Sequence, residues 1–337
     1  MINKLGMGLV TAAILGMAAT LATAGTLDDV KKRGQLICGV NGELPGFGFV
    51  DKRGRYQGFD VDFCNAVAAA IGVKVSFRPL TAKERFPALQ SGEIDMLARN
   101  TTWTMSRDGK LGLDFVTTTF YDGQGFMVRK SLGIKSAREL GGASVCITAG
   151  TTTELNLADY FRSTGMKYKP VTYERTEDTR KAYEAGRCDV MTSDASQLAA
   201  LRTGSSNPND HMILPEIISK EPLGPLVRHG DNKWGDLVRW VVNAIITAEE
   251  KGITKANVGS MVGSSRDPEV QRMLGVTGDM GGHIGLSKNW AVRVIKAVGN
   301  YGEIFERNIG PNTALGLKRG LNAQWSNGGI LYSPPIR

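Results

Sequence analysis

The sequence lacks the short signatures that mark hydrolases, metalloproteases and nucleotide-dependent enzymes. There is no GxSxG elbow, no HExxH, no GxxxxGK loop ending in Ser or Thr, and no GxGxxG after a strand. Histidine is scarce, with only His211, His229 and His283, all in loop-like polar contexts away from any other candidate group. General acid–base chemistry would have to rest on carboxylates, and no pair of them stands out. The four cysteines, Cys38, Cys64, Cys146 and Cys188, include no CxxC and do not alternate with histidine. A zinc or redox centre therefore has no ligand set, and neither metal nor cofactor is expected. Beyond the N-terminus no apolar run is long enough to span a bilayer. The formal net charge is +8, but Lys and Arg are mixed with acids, as in KERFPALQSGEID, and no basic run is interleaved with aromatics. That excludes nucleic acid as the expected partner.

What is present begins with a leader. Lys4 precedes an apolar stretch from Leu5 to Leu21, which runs into the small-residue triplet Ala22, Thr23, Ala24. This is the pattern of a secretory signal peptide over residues 1–24, with cleavage expected after Ala24. Export makes disulfides the natural use of an even cysteine count, although four cysteines leave three pairings open. Residues 25–337 exceed what one hydrophobic core usually organises, which favours two lobes.

Strand and helix signals alternate along the chain. GQLICGV reads as a strand, NGELPGFGF as a loop, and GFDVDFCNAVAAAIG places Phe59, Phe63, Val67 and Ile71 at helical spacing. KVSFRPL alternates like a strand; Pro87 implies a helix beginning near Phe86; IDMLA then leads into the polar run RNTTWTMSRD. The alternation predicts parallel α/β sheets. Two segments echo each other. ALQSGEIDMLARN at 88–100 resembles AYEAGRCDVMTSD at 182–194, and GQLICGVNG at 34–42 resembles GASVCITAG at 142–150. Two similar lobes with polar loops at their strand ends are what a cleft-forming protein needs. The crossings between them are expected near Thr119–Asp122 and Lys220–Leu223. Toward the C-terminus, SKNWAVRVIKAVGNYGEIFERN reads as one helix packing on lobe one.

Three of the polar loops carry charge or capping chemistry. Thr151 and Glu154 have capping-box spacing after Gly150, and such a helix start offers free backbone N–H groups to a carboxylate. In NTTWTMSRD, hydroxyls at Thr101, Thr102 and Thr104 surround Trp103, and Arg107 can fork a carboxylate with two hydrogen bonds. Asp194 ends the second echoed strand, where a carboxylate can take an ammonium. Plainer roles compete: a surface ion pair of Arg107 with Asp108 or Asp114, core filling by Trp103, and a helix cap for Asp194. A zwitterion needs a cation on one lobe and an anion on the other, a division that Arg107 and Asp194 supply.

The runs GFDVDFC, LTAKERF, SGEID, NTTWTMSRD, YDGQGFMVRK, AGTTTELNLADYFR, GRCDV, ILPEIISKEPLGP and VGNYGEIFERN resemble the general L-amino-acid-binding periplasmic proteins of polar amino-acid ABC importers, in bacterial extracellular solute-binding protein family 3. The resemblance implies an α/β type II periplasmic-binding fold, two lobes joined by two hinge strands around a ligand cleft. It implies capture of free L-amino acids, of broad selectivity, and delivery to the permease subunits of an ABC importer. The protein is then expected to be a periplasmic monomer and not an enzyme. The competing reading is a periplasmic enzyme on the same fold, resembling the cyclohexadienyl dehydratases.

By motif match, Arg107 resembles the α-carboxylate-binding arginine, Thr102 the hydroxyl beside it, Thr151 and Thr152 the lobe-two carboxylate donors, and Asp194 the α-ammonium acceptor. Asn41 stands where many relatives have an acid and Leu44 near where many have an aromatic. Glu43, Asn100 and Trp103, in the same loops, complete the expected ligand-binding set. Lobe one is expected to comprise 25–120 and 222–337, with a C-terminal extension, and lobe two 121–221. Pairings Cys38–Cys64 and Cys146–Cys188 each stay inside one lobe and leave closure free.

Overall fold

The computed structural model describes residues 25–337. The leader and its cleavage site lie outside the described residues. Two five-stranded sheets share one topology. In the first, Gln35–Val40 runs between Lys74–Pro79 and Met96–Leu97, parallel to both, and antiparallel Leu226–Arg228 and Leu113–Phe115 extend the Met96 side. In the second, Ser144–Thr148 lies parallel between Lys169–Tyr173 and Val190–Asp194, and Gln124–Arg129 and His211–Ile213 follow antiparallel. The sequence echoes thus map strand for strand, with Cys38 and Cys146 on the two equivalent inner strands.

Helix Phe59–Ile71 shows why local sequence suffices for some elements. Phe59, Phe63 and Val67 are buried at i, i+4 spacing. The helix starts after Gly58, at φ +135°, where a Cβ would stand 2.2 Å from the Phe47 carbonyl oxygen. Only glycine admits that approach. Helix Arg85–Gln90 opens one residue ahead of Phe86, with Pro87 in its first turn, where a missing N–H costs nothing. Disulfides join Cys38 to Cys64 and Cys146 to Cys188.

The two sheets are linked by a short antiparallel ribbon in which Phe120–Asp122 pairs with Glu221–Leu223, so that Glu221 lies opposite Asp122. The C-terminal segment packs back on the first sheet's side, but as two helices rather than one. Trp290–Val298 ends at Gly299, φ +81°, and Asn300 starts Tyr301–Asn308 with a complete capping box to Glu303. Arg293 Nε and Nη2 donate to the Ala69 and Ala70 carbonyls at 3.0 and 2.5 Å, closing the C-terminus of helix Phe59–Ile71. Tyr301 Oη donates to the Thr119 carbonyl at 2.8 Å. The Asn322 side chain accepts from the Tyr121 N–H at 2.7 Å and donates to its carbonyl at 3.0 Å, occupying both backbone groups on the outer edge of the ribbon. No helix among the described residues is long and apolar enough to cross a membrane.

Candidate ligand-binding cleft

The polar loops at the strand ends of both sheets converge beside the ribbon. Arg107 is 8% exposed, so it is no surface ion pair. Its Nη1 donates to the Thr102 carbonyl at 2.9 Å and its guanidinium lies over the Phe86 ring, 5.1 Å from the centroid. Asp108 instead accepts from the Phe115 N–H, and Asp114 pairs with His229. From the other lobe, Asp194 is 7% exposed and occupies the cap position of helix Ala195–Thr203, yet its side chain makes no cap hydrogen bond. The carboxylate is thereby left available to the cleft.

Thr151 departs from expectation. Its hydroxyl donates to the Thr148 carbonyl at 2.7 Å, and Glu154 accepts from the Gly150 N–H at 2.9 Å, so the capping box does not form. Helix Thr152–Ser163 therefore begins with no side-chain cap on its free N–H groups. Trp103 is exposed, stacked on Phe115 at 5.6 Å, and its backbone N–H donates to the Pro222 carbonyl.

Asn41, Asn100 and the unforeseen Gln197 form an amide relay across the cleft. Asn41 Nδ2 donates to Asn100 Oδ1 at 3.3 Å, and Asn100 Nδ2 donates to Gln197 Oε1 at 2.9 Å. Asn100 holds φ +27°, a left-handed conformation that Asn tolerates better than most residues. Its N–H is fixed by Asp60 Oδ2 at 2.7 Å. Burial pushes the Asp60 carboxyl up to about 7, with that N–H and Arg99 pulling the other way. At the mouth, Glu43 pairs with Arg175 and Lys83 with Glu174 at 3.6 Å, bridging the lobes. A cavity of about 250 Å³ lies there, lined by Asn41, Glu43, Thr81, Arg99, Arg175 and Thr176 among others.

Glu221, also absent from the sequence reading, organises the floor. It is 1% exposed and accepts four hydrogen bonds: from Thr102 Oγ1 at 2.5 Å, Thr152 Oγ1 at 2.9 Å, Asn156 Nδ2 at 2.6 Å and Ser219 Oγ at 2.6 Å. One hinge carboxylate thus ties a loop of the first lobe to a helix of the second. Asp122, opposite it on the ribbon, is pushed up to about 6 by burial and by Glu221's charge, despite N–H groups of Gly123 and Ser196. Asp194 is raised too, by burial first and then by Asp122 and Glu221, with Arg85 and Arg107 opposing. Burial disfavours the Arg107 charge, and Glu221 and Asp194 restore part of it. Such a floor has cationic and anionic poles in one desolvated space, which suits a zwitterion.

Among the described residues one group, Asp108, Asp114 and His229, brings three possible metal-ligand atoms within 4.8 Å of one another. His229 Nε2 already meets Asp114 there at 3.3 Å, at the protein surface. His211 departs from its expected loop setting: it starts a strand, is buried, and its Nδ1 lies 2.9 Å from Tyr183 Oη.

Two matching α/β lobes, a two-strand hinge and a polar cleft between strand ends define a solute-binding protein with the type II periplasmic-binding fold. The chain belongs to the bacterial extracellular solute-binding proteins, family 3, whose model matches residues 36–256. It is 57% identical to the glutamate/glutamine/aspartate/asparagine-binding protein BztA of Rhodobacter capsulatus, covering 96% of this chain and 97% of that one. It is 56% identical to the general L-amino acid-binding periplasmic protein AapJ of Rhizobium johnstonii over 99% of both. A solved periplasmic binding protein from Brucella ovis with glutathione bound superposes with a TM-score of 0.91 at 56% identity, covering 93% of this chain and all of that one. These relatives are binding proteins, not enzymes, which tells against the dehydratase reading.

Proposed function

We propose that this protein captures free L-amino acids of several kinds in the periplasm and hands them to the permease subunits of an ABC importer. The observation that carries the reading is the pair of buried, oppositely charged groups, Arg107 and Asp194, facing one cleft from opposite lobes. Arg107 forks the α-carboxylate, helped by the backbone N–H of Thr102, whose hydroxyl is given to Glu221, and by the free N–H groups around Thr151 and Thr152; Asp194 takes the α-ammonium. Asn41, Glu43, Asn100 and Trp103 line the route of the ligand's side chain. Lobe one comprises 25–120 and 222–337, lobe two 121–221, and the protein works as a monomer. The named ligands of the Rhodobacter and Rhizobium relatives support amino acids as cargo. So does glutathione in the Brucella structure, whose γ-glutamyl end carries a free α-amino acid group.

Two measurements test this. Mass spectrometry of protein purified without refolding should find amino acids bound, and a calorimetric screen should find several binders. Arg107→Lys should weaken every one of them about 10- to 100-fold, because an ammonium cannot reproduce the planar two-bond fork. Unchanged affinities in the folded variant would remove Arg107 from the clamp. For export, the periplasmic form should begin at Gly25; an intact Met1 terminus there would refute the processing.

A further inference from the structure

The C-terminal segment builds a second cavity, of about 140 Å³, that shares no residue with the cleft. Trp240 lines it from helix Asn232–Glu250, Met280 and Ile284 from the turn of helix at Met280–His283, Trp290 from the start of helix Trp290–Val298, and Ile336 from the last stretch of chain. His283 and Arg337 stand exposed at its rim. The walls are fixed by the protein's own bonds. Asp279 caps the turn at Met280 by accepting the Gly282 N–H at 3.0 Å. The Ile336 N–H donates to Glu269 Oε1 at 2.9 Å, and its carbonyl accepts from Arg272 Nε at 3.0 Å. The cavity is thus pre-formed, as small-molecule sites usually are.

One wall carries a polar atom that the protein does not satisfy. Trp290 is 2% exposed, and its Nε1–H has no acceptor among the described residues. The adjoining ring carbon, Cδ1, lies so near Gly281 that a Cβ there would come within 2.8 Å of it. The N–H edge of the indole therefore abuts the same turn of helix that lines the cavity. The other fully buried indole, Trp234, gives its Nε1–H to the Asp95 carbonyl at 3.0 Å, which is the ordinary arrangement for a buried donor. Size narrows what could answer Trp290. A cavity of about 150 Å³ takes one benzene ring, and two indoles with two isoleucines suit an aromatic body. Among the described residues, the one group of fixed charge lining the cavity is the Arg337 guanidinium, which favours an acceptor that is anionic.

We infer that this cavity is a second binding site, for a small aromatic carboxylate. A single ring lies against Trp240, Trp290 and the two isoleucines, one carboxylate oxygen accepts the Trp290 N–H, and Arg337 favours the negative charge from the rim. The inference is independent of the amino-acid clamp proposed above, since no group of that clamp takes part.

The test is an NMR titration with benzoate and with toluene, which has the ring but no acceptor. Neither probe has the α-ammonium that the clamp takes. In the wild type, benzoate should bind more tightly than toluene and shift one indole N–H resonance saturably, the one that is missing from Trp290→Phe. That variant keeps an aromatic ring but loses the donor, so it should weaken benzoate about tenfold or more and toluene less than about twofold. Met280→Trp fills the cavity from its half-buried edge and should abolish binding of both. Arg107→Lys should change neither. No saturable shift, an equal effect of Trp290→Phe on the two probes, benzoate binding that survives Met280→Trp, or binding lost in Arg107→Lys, which would place the probe in the cleft, each overturns the inference. If Trp290→Phe does not fold, Met280→Trp decides: loss of benzoate binding supports the site and persistence removes it.

Discussion

Asp194→Ala should yield a folded protein whose affinity for every amino acid is lower by about 2–5 kcal/mol, roughly thirtyfold to several-thousandfold. The loss is common to all ligands because the ammonium is common to all. Among the described residues the carboxylate has no cap hydrogen bond to give up, so its removal takes nothing from the start of helix Ala195–Thr203. Ligand should raise the melting temperature of the wild type and barely move that of the variant. The same site makes binding depend on pH. The Asp194 carboxyl is raised above its ordinary range by burial and by Asp122 and Glu221, and Asp122 itself sits at about 6. An ammonium beside these groups favours their ionised forms, so binding releases protons, and affinity should fall as pH drops through about 6. Titrations in buffers of different ionisation heat would detect the released proton. A pH-independent affinity, or tight binding by folded Asp194→Ala, would show that the ammonium is held elsewhere.

Glu221→Ala should weaken all ligands about a hundredfold, through closure and not through contact, which corresponds to about 3 kcal/mol. Four donors share this one carboxylate. Thr102 lies on one side of the cleft and Thr152 and Asn156 on the other, so the bonds assemble together only when the lobes meet. Substitution leaves those donors without a charged acceptor in a desolvated floor. Glu221→Gln keeps the shape but introduces two N–H groups toward four donors, and should recover little. Small-angle scattering with saturating ligand should show a more open average form for Glu221→Ala than for the wild type. Identical scattering and identical affinity would reduce Glu221 to a structural filler.

Much of this architecture was readable locally. The repeated Gly–strand–Cys and Gly–x–x–Asp–strand segments correspond to the equivalent strands of the two sheets, because turn chemistry and apolar alternation are properties of neighbours in sequence. Arg107 and Asp194 stood out for the same reason: they end loops whose ends were visible. Glu221 was hidden although its segment was recognised as a crossing, since its meaning comes from Thr102 and Thr152, 119 and 69 residues away. Gln197 and Arg85 were hidden likewise, one inside an ordinary helix pattern and the other in a run that read as surface charge. The broken C-terminal helix was legible and overlooked: Gly299 followed by Asn300 with Glu303 three positions on is a stop and a restart. Thr151 and Glu154 carried similar spacing without forming the box: the hydroxyl turns to the Thr148 carbonyl and the carboxylate takes the Gly150 N–H instead of that of Thr151. Spacing proposes a cap, and local competition decides it.

The Asn322 side chain grips both backbone groups of Tyr121, and the segment that delivers it lies beyond residue 256, where the family match ends. A free ribbon would spread its bending over its whole length. This one behaves like a beam clamped part-way along, with Tyr121 held to the C-terminal segment and Thr119 held by Tyr301. The other end of the ribbon is held as well: the Ala195 N–H donates to the Gly123 carbonyl at 2.8 Å and the Gln124 N–H to Ser219 Oγ at 3.1 Å. Both ends of the ribbon are therefore anchored, one to the C-terminal segment and one to the second sheet, and the bending that any change of angle between the lobes requires has only the few residues between those anchors to act on.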